Sequence, residues 1–575
     1  MITRPRIWPY AIAFAVAAIA WLLLVMARHY SYWETTGREM PDMASSIRNG
    51  VVVALGLAVL AYGLSVAWVH RSAAKTPAEP AAQAQAQAQA AAAGAGAAPG
   101  ESHAALAHGF NGASALLARK GPQAVLEVRG LGAVTGYETN QEIWAKIVQK
   151  ADNHASYLSS NPEDYPDSED ARLDDMRVSI TTSFKLGARH AVEYWPVPVI
   201  VWGPAKNAHN AYRAAMNIAD SRQKAGLGVT LFLWQEDANG DDGAAMLEKL
   251  FDFFDAHPDV PAALVYSLDG STMRSLLGAP GSGGAAPAAH ARPALPDSIV
   301  AMLVSRSDRV DRLVRPFAVE QTEQIDRTHG EYDVVKLWNF YWDKNDDRGP
   351  EGFDAHYRKQ AKAAGVDDPD SIGTMTASWW QAQLPAFWKT IGNQGPGQFT
   401  TSSYLPVRWT NWQLRQFDDA PLLGYLHRPV DVKLTDDHGQ PLKTAAQAAA
   451  LKAGWEQAVA ALPQGREPRR VFYDTTADRL WVVPLNQALA QVGAGAPSLD
   501  DVKEGYDIGA RIGNTGVSSP LVQIGLGLIA GYDDGGASAT VNRRPNGTAS
   551  IVMVSPPEDG NKAAWQQKTG GSPFK

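Results

Sequence analysis

The sequence predicts a layered α/β fold of two related halves, and three observations carry that prediction. Apolar runs of β character alternate with stretches of helical spacing through most of residues 123–560. Several of those runs are continuously apolar, as strands covered on both faces are. A Pro-, Gly- and Ala-rich break from Ala279 to Pro296 then separates two stretches of the same kind. With 575 residues and 45% hydrophobic content, the chain exceeds one ordinary core, so several folding units are expected.

The N-terminal region comes first. Ile7–Ala27 is 21 residues without a charge, and Val51–Val69 is a second such run of 19. At about 1.5 Å per residue each reaches the roughly 30 Å thickness of a bilayer core. Trp8, Tyr10, Trp21, Tyr62 and Trp68 lie within these runs, several near the ends where interfacial aromatics sit. Residues 1–75 are therefore expected to form a transmembrane helical hairpin. A cleaved first segment followed by a stop-transfer helix is the alternative. Arg4, Arg6, Arg71 and Lys75 flank the spans, against Arg28, Arg38 and Arg48 between them. That bias places both termini in the cytoplasm. Residues 76–122, with their Ala-Gln alternation, read as a low-complexity linker.

The N-terminal half is expected over 123–280. Val125–Val128, Arg177–Ile180, Val197–Trp202, Val229–Trp234 and Pro261–Ser267 read as strands. Gln141–Ala151, Ala208–Ala219 and Gly243–His257 read as helices, the last with a stripe of Met246, Leu247, Leu250, Phe251 and Phe254. Residues 281–296 form a loop or linker. The C-terminal half, 297–560, opens on a strand at Ile299–Ser305. It continues with a strand at Val430–Leu434 entering a turn at Asp436–Gly439, a helix at Ala445–Ala461, and strands at Val471–Tyr473 and Ile551–Val554. Residues 561–575 read as a tail.

Composition excludes several functions. There is no cysteine, hence no disulfide, thiolate nucleophile or cysteine-held metal. A formal charge of −8 argues against nucleic acid as a partner. No structured segment carries a Gly-x-Ser-x-Gly elbow, a phosphate-binding P-loop or a His-Glu-x-x-His zinc motif. No cofactor or metal is therefore expected. Two acidic runs, Glu163 to Asp175 and Asp237 to Asp242, read as solvated loops; in the second, Gly240 falls too early for a calcium loop. Arg306, Arg309, Arg312 and Arg315, interleaved with Asp308 and Asp311, read as a self-paired helix surface.

Two segments resemble known enzymes. Val125-Leu-Glu-Val-Arg-Gly-Leu-Gly-Ala-Val-Thr135 resembles the opening of a ketoacyl synthase: a strand, a Gly-Leu-Gly turn, then a helix. Ile512-Gly-Asn-Thr-Gly through Tyr532 is similar to the Gly-Asn-Thr turn and helix that close condensing enzymes of the thiolase class. The resemblance implies a thiolase-like layered fold with helices sandwiched between sheets. It also implies a vestigial active-site-like turn of Gly513, Asn514 and Thr515, with Asp474 standing where a histidine is expected. The catalytic cysteine has no counterpart. Asn514 also admits a plainer reading, as a turn residue satisfying its own backbone.

Further phrases resemble the type VI secretion lipase-adapter family over about residues 123–560. They include Trp234-Gln-Glu-Asp237, Asp297-Ser-Ile-Val300, Ser305 to Leu313, Lys336-Leu-Trp-Asn-Phe340, Pro421 to Pro429 and Ile551 to Pro557. This resemblance implies a non-enzymatic adapter that binds a lipase (phospholipase) effector and directs it to the secretion spike, a VgrG-type protein. It would sit at the bacterial inner membrane. Two alternatives stay open: an acyl-binding or acyl-transfer protein of lipid metabolism, and an immunity protein against a lipase toxin. Trp338, Trp342, Trp379, Trp380 and Trp388 lie in a Trp-rich insertion and are candidate partner-binding residues, because exposed aromatics anchor interfaces.

Overall fold

The computed structural model describes residues 116–121, 124–149, 155–203, 231–236, 242–277, 289–326, 328–345, 377–463 and 466–574, together with positions 21, 22 and 25. Two compact units divide the chain, Met1–Leu106 and Ala107–Lys575. In the first, Trp21, Leu22 and Val25 are helical. The remainder of both apolar runs, Ile7–Ala27 and Val51–Val69, lies outside the described residues. So do most of the Ala-Gln linker, the helix expected at Ala208–Ala219, and residues 346–376 of the Trp-rich insertion. Among the described residues no helix is long and apolar enough to cross a membrane.

The second unit is a mixed α/β fold. Its first half contains β1 (Val125–Thr135), β2 (Glu138–Thr139), α1 (Asn140–Gln149), α2 (Glu169–Ala188), β3 (Pro196–Trp202), β4 (Leu231–Glu236), α3 (Gly243–Ala256), β5 (Ala262–Asp269) and β6 (Ser298–Ser305). The second half contains β7 (Gly424–His427), β8 (Val430–Lys433), α4 (Thr444–Ala460), β9 (Pro468–Tyr473), α5 (Val482–Val492), β10 (Gly505–Asp507), α6 (Ser519–Asp534), β11 (Ala537–Arg543), β12 (Thr548–Ser555) and α7 (Asp559–Thr569).

All twelve strands join one sheet, whose main path is β10-β9-β11-β12-β7-β1-β6-β5-β3-β4. The five main strands of the first half are β1, β3, β4, β5 and β6; those of the second are β7, β9, β10, β11 and β12. Numbered 1 to 5 within its half, each set runs 3-2-4-5-1 across the sheet. In each, the fifth strand is antiparallel to both neighbours, while the second, third and fourth are mutually parallel. The halves meet where β1 pairs antiparallel with β7. Equal strand order and direction in both halves is an internal repeat that hydrophobic periodicity alone could not show.

Side-chain alternation along each strand sorts the core into layers. Ala263 and Val265 on β5, and Val552 and Val554 on β12, face a central cluster shared by both halves. It is filled by Ile143, Trp144 and Ile147 of α1, by the apolar stripe of α3, and by α6. Leu264 and Tyr266 instead face Met176, Ile180 and Phe184 of α2. Ile551 and Met553 face Leu451 and Trp455 of α4 and Leu485 and Leu489 of α5. The order is helix, sheet half, central helices, sheet half, helices. Every residue of α6 from Ser519 to Tyr532 is buried, as befits a helix enclosed on all sides.

Several expectations need correction. Gly130-Leu-Gly132 is no turn; it lies within β1, all eleven residues of which are buried. The chain turns later, at Gly136 and Tyr137, with φ of 54° and 76°. The two glycines serve helix packing. An ideal Cβ would stand 2.1 Å from the Gly187 carbonyl oxygen at position 130, and 1.9 Å from the Ser183 carbonyl oxygen at position 132. Only a bare backbone lets α2 settle so close, and Ser183 Oγ then donates to the Gly132 carbonyl at 2.5 Å.

Arg177–Ile180, expected as a strand, is the middle of α2. Its β-branched run is overruled by the Ser168 cap, whose Oγ accepts from the Ala171 N–H, and by the buried Met176, Ile180 and Phe184 at helical spacing. Glu169, Asp170, Asp174 and Asp175 accordingly lie on this helix and not in a loop. Arg309 belongs to no self-paired surface. It is buried and donates to the carbonyls of Phe254, His257 and Val260. The expected linker ends early, since Leu116 and Leu117 are buried. The expected tail holds α7 and a buried Phe574, whose carbonyl accepts from Asn140 Nδ2 at 2.9 Å.

Candidate functional site

Parallel strands β9 and β10 deliver the residues of the enzyme-like turn at their carboxyl ends. Asp474 directly follows β9, and Gly513, Asn514 and Thr515 lead into α6. Gly513 and Gly516 take φ of 107° and 59°, where a side chain is strained. Asn514 Oδ1 accepts from the Gly516 N–H at 3.0 Å, which closes an Asx turn on the local backbone. Thr515 is fully buried.

The first half locks this turn from beneath. Asp269, at the carboxyl end of β5, is fully buried. Its carboxylate accepts from the Val517 N–H at 2.7 Å and the Gly270 N–H at 2.8 Å, and receives Arg274 through two bonds of 2.7 and 2.8 Å. A Cβ on Gly516 would stand 1.9 Å from Asp269 Oδ2, so this carboxylate also requires the glycine. Ser518 Oγ lies 2.6 Å from Ser267 Oγ and donates to the Ser298 carbonyl.

Asp474 is equally committed. Its carboxylate accepts from the Thr476 N–H at 2.8 Å, from Thr476 Oγ1 at 2.6 Å and from Ser519 Oγ at 2.6 Å. Gln523 Nε2 continues the chain, donating to Ser519 Oγ at 3.1 Å and to Asn542 Oδ1 at 2.7 Å. Beside it, burial pushes the Asp507 carboxyl upward, while donation from Thr475 and Ala510 opposes the shift. Burial likewise raises the Tyr473 hydroxyl and lowers the Arg511 guanidinium. The structure thus brings Asp474 to the start of α6 through Ser519. The carboxylates of Asp474 and Asp269 and the amide of Asn514 are engaged in holding the turn, and the sequence supplies no thiol to attack an acyl group.

The position where α3 begins is also occupied by structure. Asp242, expected in a solvated loop, caps α3 by accepting from the Ala245 N–H at 3.0 Å. It also receives Arg544 at 2.8 Å, and Arg544 bonds Asp431 as well. A helix N-terminus that could stabilise an anion is thereby filled by the chain's own carboxylate.

The tryptophans divide. Trp380 is fully buried, against Tyr341 and Phe340, so this ring is a core residue and not the exposed anchor expected. Trp338 and Trp388 are partly buried against the central core, and Trp388 Nε1 donates to the Pro406 carbonyl at 3.1 Å. The side chains of Trp342 and Trp379 lie outside the described residues. Among the described residues, one group that could approach a cation is Glu323, His329 and Glu331, whose possible ligand atoms lie within 4.8 Å of one another. His329 Nδ1 is engaged by Asp326 of the same loop at 3.1 Å.

Sequence reading missed a basic cluster at Arg466, Arg469 and Arg470, which the spacing Arg-x-x-Arg-Arg signalled. It also missed the Arg428 fan to Glu248, Asp252 and Asp255, whose partners lie about 180 positions away and leave no local signal.

Models of the type VI lipase adapter protein Tla3 match both halves: its N-terminal domain over residues 124–288 and its C-terminal domain over 423–556, together more than half of the chain. Among solved structures, the ishigamide ketosynthase/chain length factor matches at 12% identity and a TM-score of 0.38, covering 76% of this chain and all of that one. The ketosynthase from module 1 of the bacillaene synthase from Bacillus amyloliquefaciens FZB42 matches at 10% identity and a TM-score of 0.35, covering 76% of this chain and 77% of the other. Likenesses this distant carry no transfer of residues or activity.

Proposed function

The chain belongs to the type VI lipase adapter family, and from that premise we propose that it captures a lipase effector and presents it to the secretion spike without turning over a substrate. The observation that carries the reading is the family match on both halves. The commitments of Asp474 and Asn514 support the non-enzymatic part of it. Each accepts hydrogen bonds that fix local backbone or the start of α6, and no cysteine stands near them or anywhere else. The repeated 3-2-4-5-1 order, with helices between the sheet halves, supports a thiolase-like layout kept for its surface. The two apolar runs near the N-terminus support an inner-membrane hairpin with the remainder of the chain in the cytoplasm, where an effector is loaded.

The test is binding of the full-length chain to its purified lipase and spike proteins by biolayer interferometry, alongside acyl transfer from a coenzyme A thioester. Saturable binding to both partners with no transfer is expected. Measurable transfer that disappears in Asp474→Ala would reject the scaffold reading. A C-terminal reporter active only in the periplasm would reject the proposed orientation.

A further inference from the structure

The second half carries an open groove at the end of the sheet opposite the Gly-Asn-Thr turn. It is bounded where β9 and β11 begin, at Pro468 and Ala537, and just beyond the end of β12, at Pro556, and it is open to solvent along its length. Because β9, β10 and β11 run parallel, Asp474 and the turn lie at their carboxyl ends and this groove at their amino ends. Small-molecule sites in parallel α/β sheets favour the carboxyl ends. A broad recess at the other end suits a macromolecular partner.

Its charge runs against that of the whole chain. Arg466, Arg469, Arg470, Lys503 and Lys562 line it, against three carboxylates, leaving a surplus of two positive charges in a protein of net −8. The carboxylates do little to neutralise them. Glu504 is held by the Ser498 N–H at 2.7 Å, Asp559 approaches Lys562 only to 3.7 Å, and the exposed Glu467 makes no ion pair among the described residues. The exposed side chains of Arg469 and Lys503 have no ion-pair partner among the described residues. Gly536, at φ 79°, lets the Arg469 stem lie against bare backbone, where a Cβ would come within 2.4 Å of its Cδ.

Arg470 adds an independent observation. It is only 6% exposed, and Nη2 donates to the Gly535 carbonyl at 2.9 Å. Its nearest carboxylate, Asp534, stands at 3.9 Å, and its buried Nη1 has no acceptor. Burial lowers its pKa. A buried guanidinium with an unused donor is costly until an anion arrives to accept from it.

We propose that this groove docks an extended acidic segment of the lipase that the adapter carries. The proposal rests on the adapter reading and names a surface for it. Carboxylates spaced along such a segment would meet Arg469 and Lys503 at the rim and Arg470 below. Affinity would then depend on salt.

The test uses the full-length chain and two probes, a fluorescein-labelled hexaglutamate peptide and the purified lipase, with phosphatidylglycerol vesicles as a control. Both should bind saturably, more weakly as salt rises. In R469E/K503E both should bind at least tenfold more weakly with the unfolding midpoint unchanged, whereas R469K/K503R should bind as the native chain does. Lipase affinity unchanged in R469E/K503E overturns the groove assignment while leaving the adapter reading in place. A lipase that binds neither protein overturns both. Lost binding to phosphatidylglycerol vesicles with lipase affinity intact would reassign the groove to a lipid surface and overturn the proposal.

Discussion

The close packing of α2 on β1 gives a sharp contrast between two glycines. At position 132 an added Cβ would stand 1.9 Å from the Ser183 carbonyl oxygen and 2.8 Å from the Gly187 nitrogen. Both are backbone atoms of a buried helix, so no rotamer change relieves the clash. A tolerable contact needs at least 3 Å, so α2 would have to retreat by more than 1 Å. That would disturb Met176, Ile180 and Phe184 against β3, β5 and β6. Overpacking costs about 1–3 kcal/mol, and loosening of several buried side chains adds to it, so Gly132→Ala should cost about 3 kcal/mol or more. At Gly525 in α6 the nearest atoms are Leu131 side-chain carbons at 3.4 and 3.6 Å, an ordinary contact. Helix propensity there favours alanine by up to about 1 kcal/mol, so Gly525→Ala should be neutral or mildly stabilising. Urea unfolding followed by tryptophan fluorescence separates the two. Equal midpoints for both variants would refute the packing geometry.

Other outcomes follow from the same contacts. His427 is fully buried, and burial, reinforced by Arg119 and Arg466, lowers its pKa to about 3. The unfolded chain binds a proton near pH 6.5 that the folded chain refuses. This contribution is therefore complete above pH 6.5 and is lost as pH falls toward 3, by up to roughly 4–5 kcal/mol. His427→Gln should flatten the acid limb of a stability-against-pH curve, and an unchanged limb would count against this origin. Asp269→Ala takes the acceptor from the buried Val517 N–H and from the Gly270 N–H, and should cost about 2–4 kcal/mol in denaturant titration. Trp380→Ala should cost about 3–5 kcal/mol as a core truncation. Loss of lipase binding in a Trp380→Ala protein of native stability would restore Trp380 as an anchor.

The α/β class, the strands read at Val197–Trp202, Pro261–Ser267, Ile299–Ser305 and Ile551–Val554, and the helix read at Gly243–His257 were legible in sequence because their burial patterns are local. The zero cysteine count spoke against thiolate catalysis without any geometry, and local phrases carried the family. Arg177–Ile180 was misread because β-branched composition favours a strand, while the capping serine and the face it buries are decided by packing. Gly130 and Gly132 were visible, but their purpose was not, since the atoms they make room for lie some fifty residues away. The repeat of strand order, the use of Asp269 to lock the Gly-Asn-Thr turn, and the basic groove at the opposite end of the sheet all join residues distant in sequence. Periodicity reports which face of an element is covered. Only the tertiary structure decides what covers it, because that choice belongs to the whole sheet and not to any one strand.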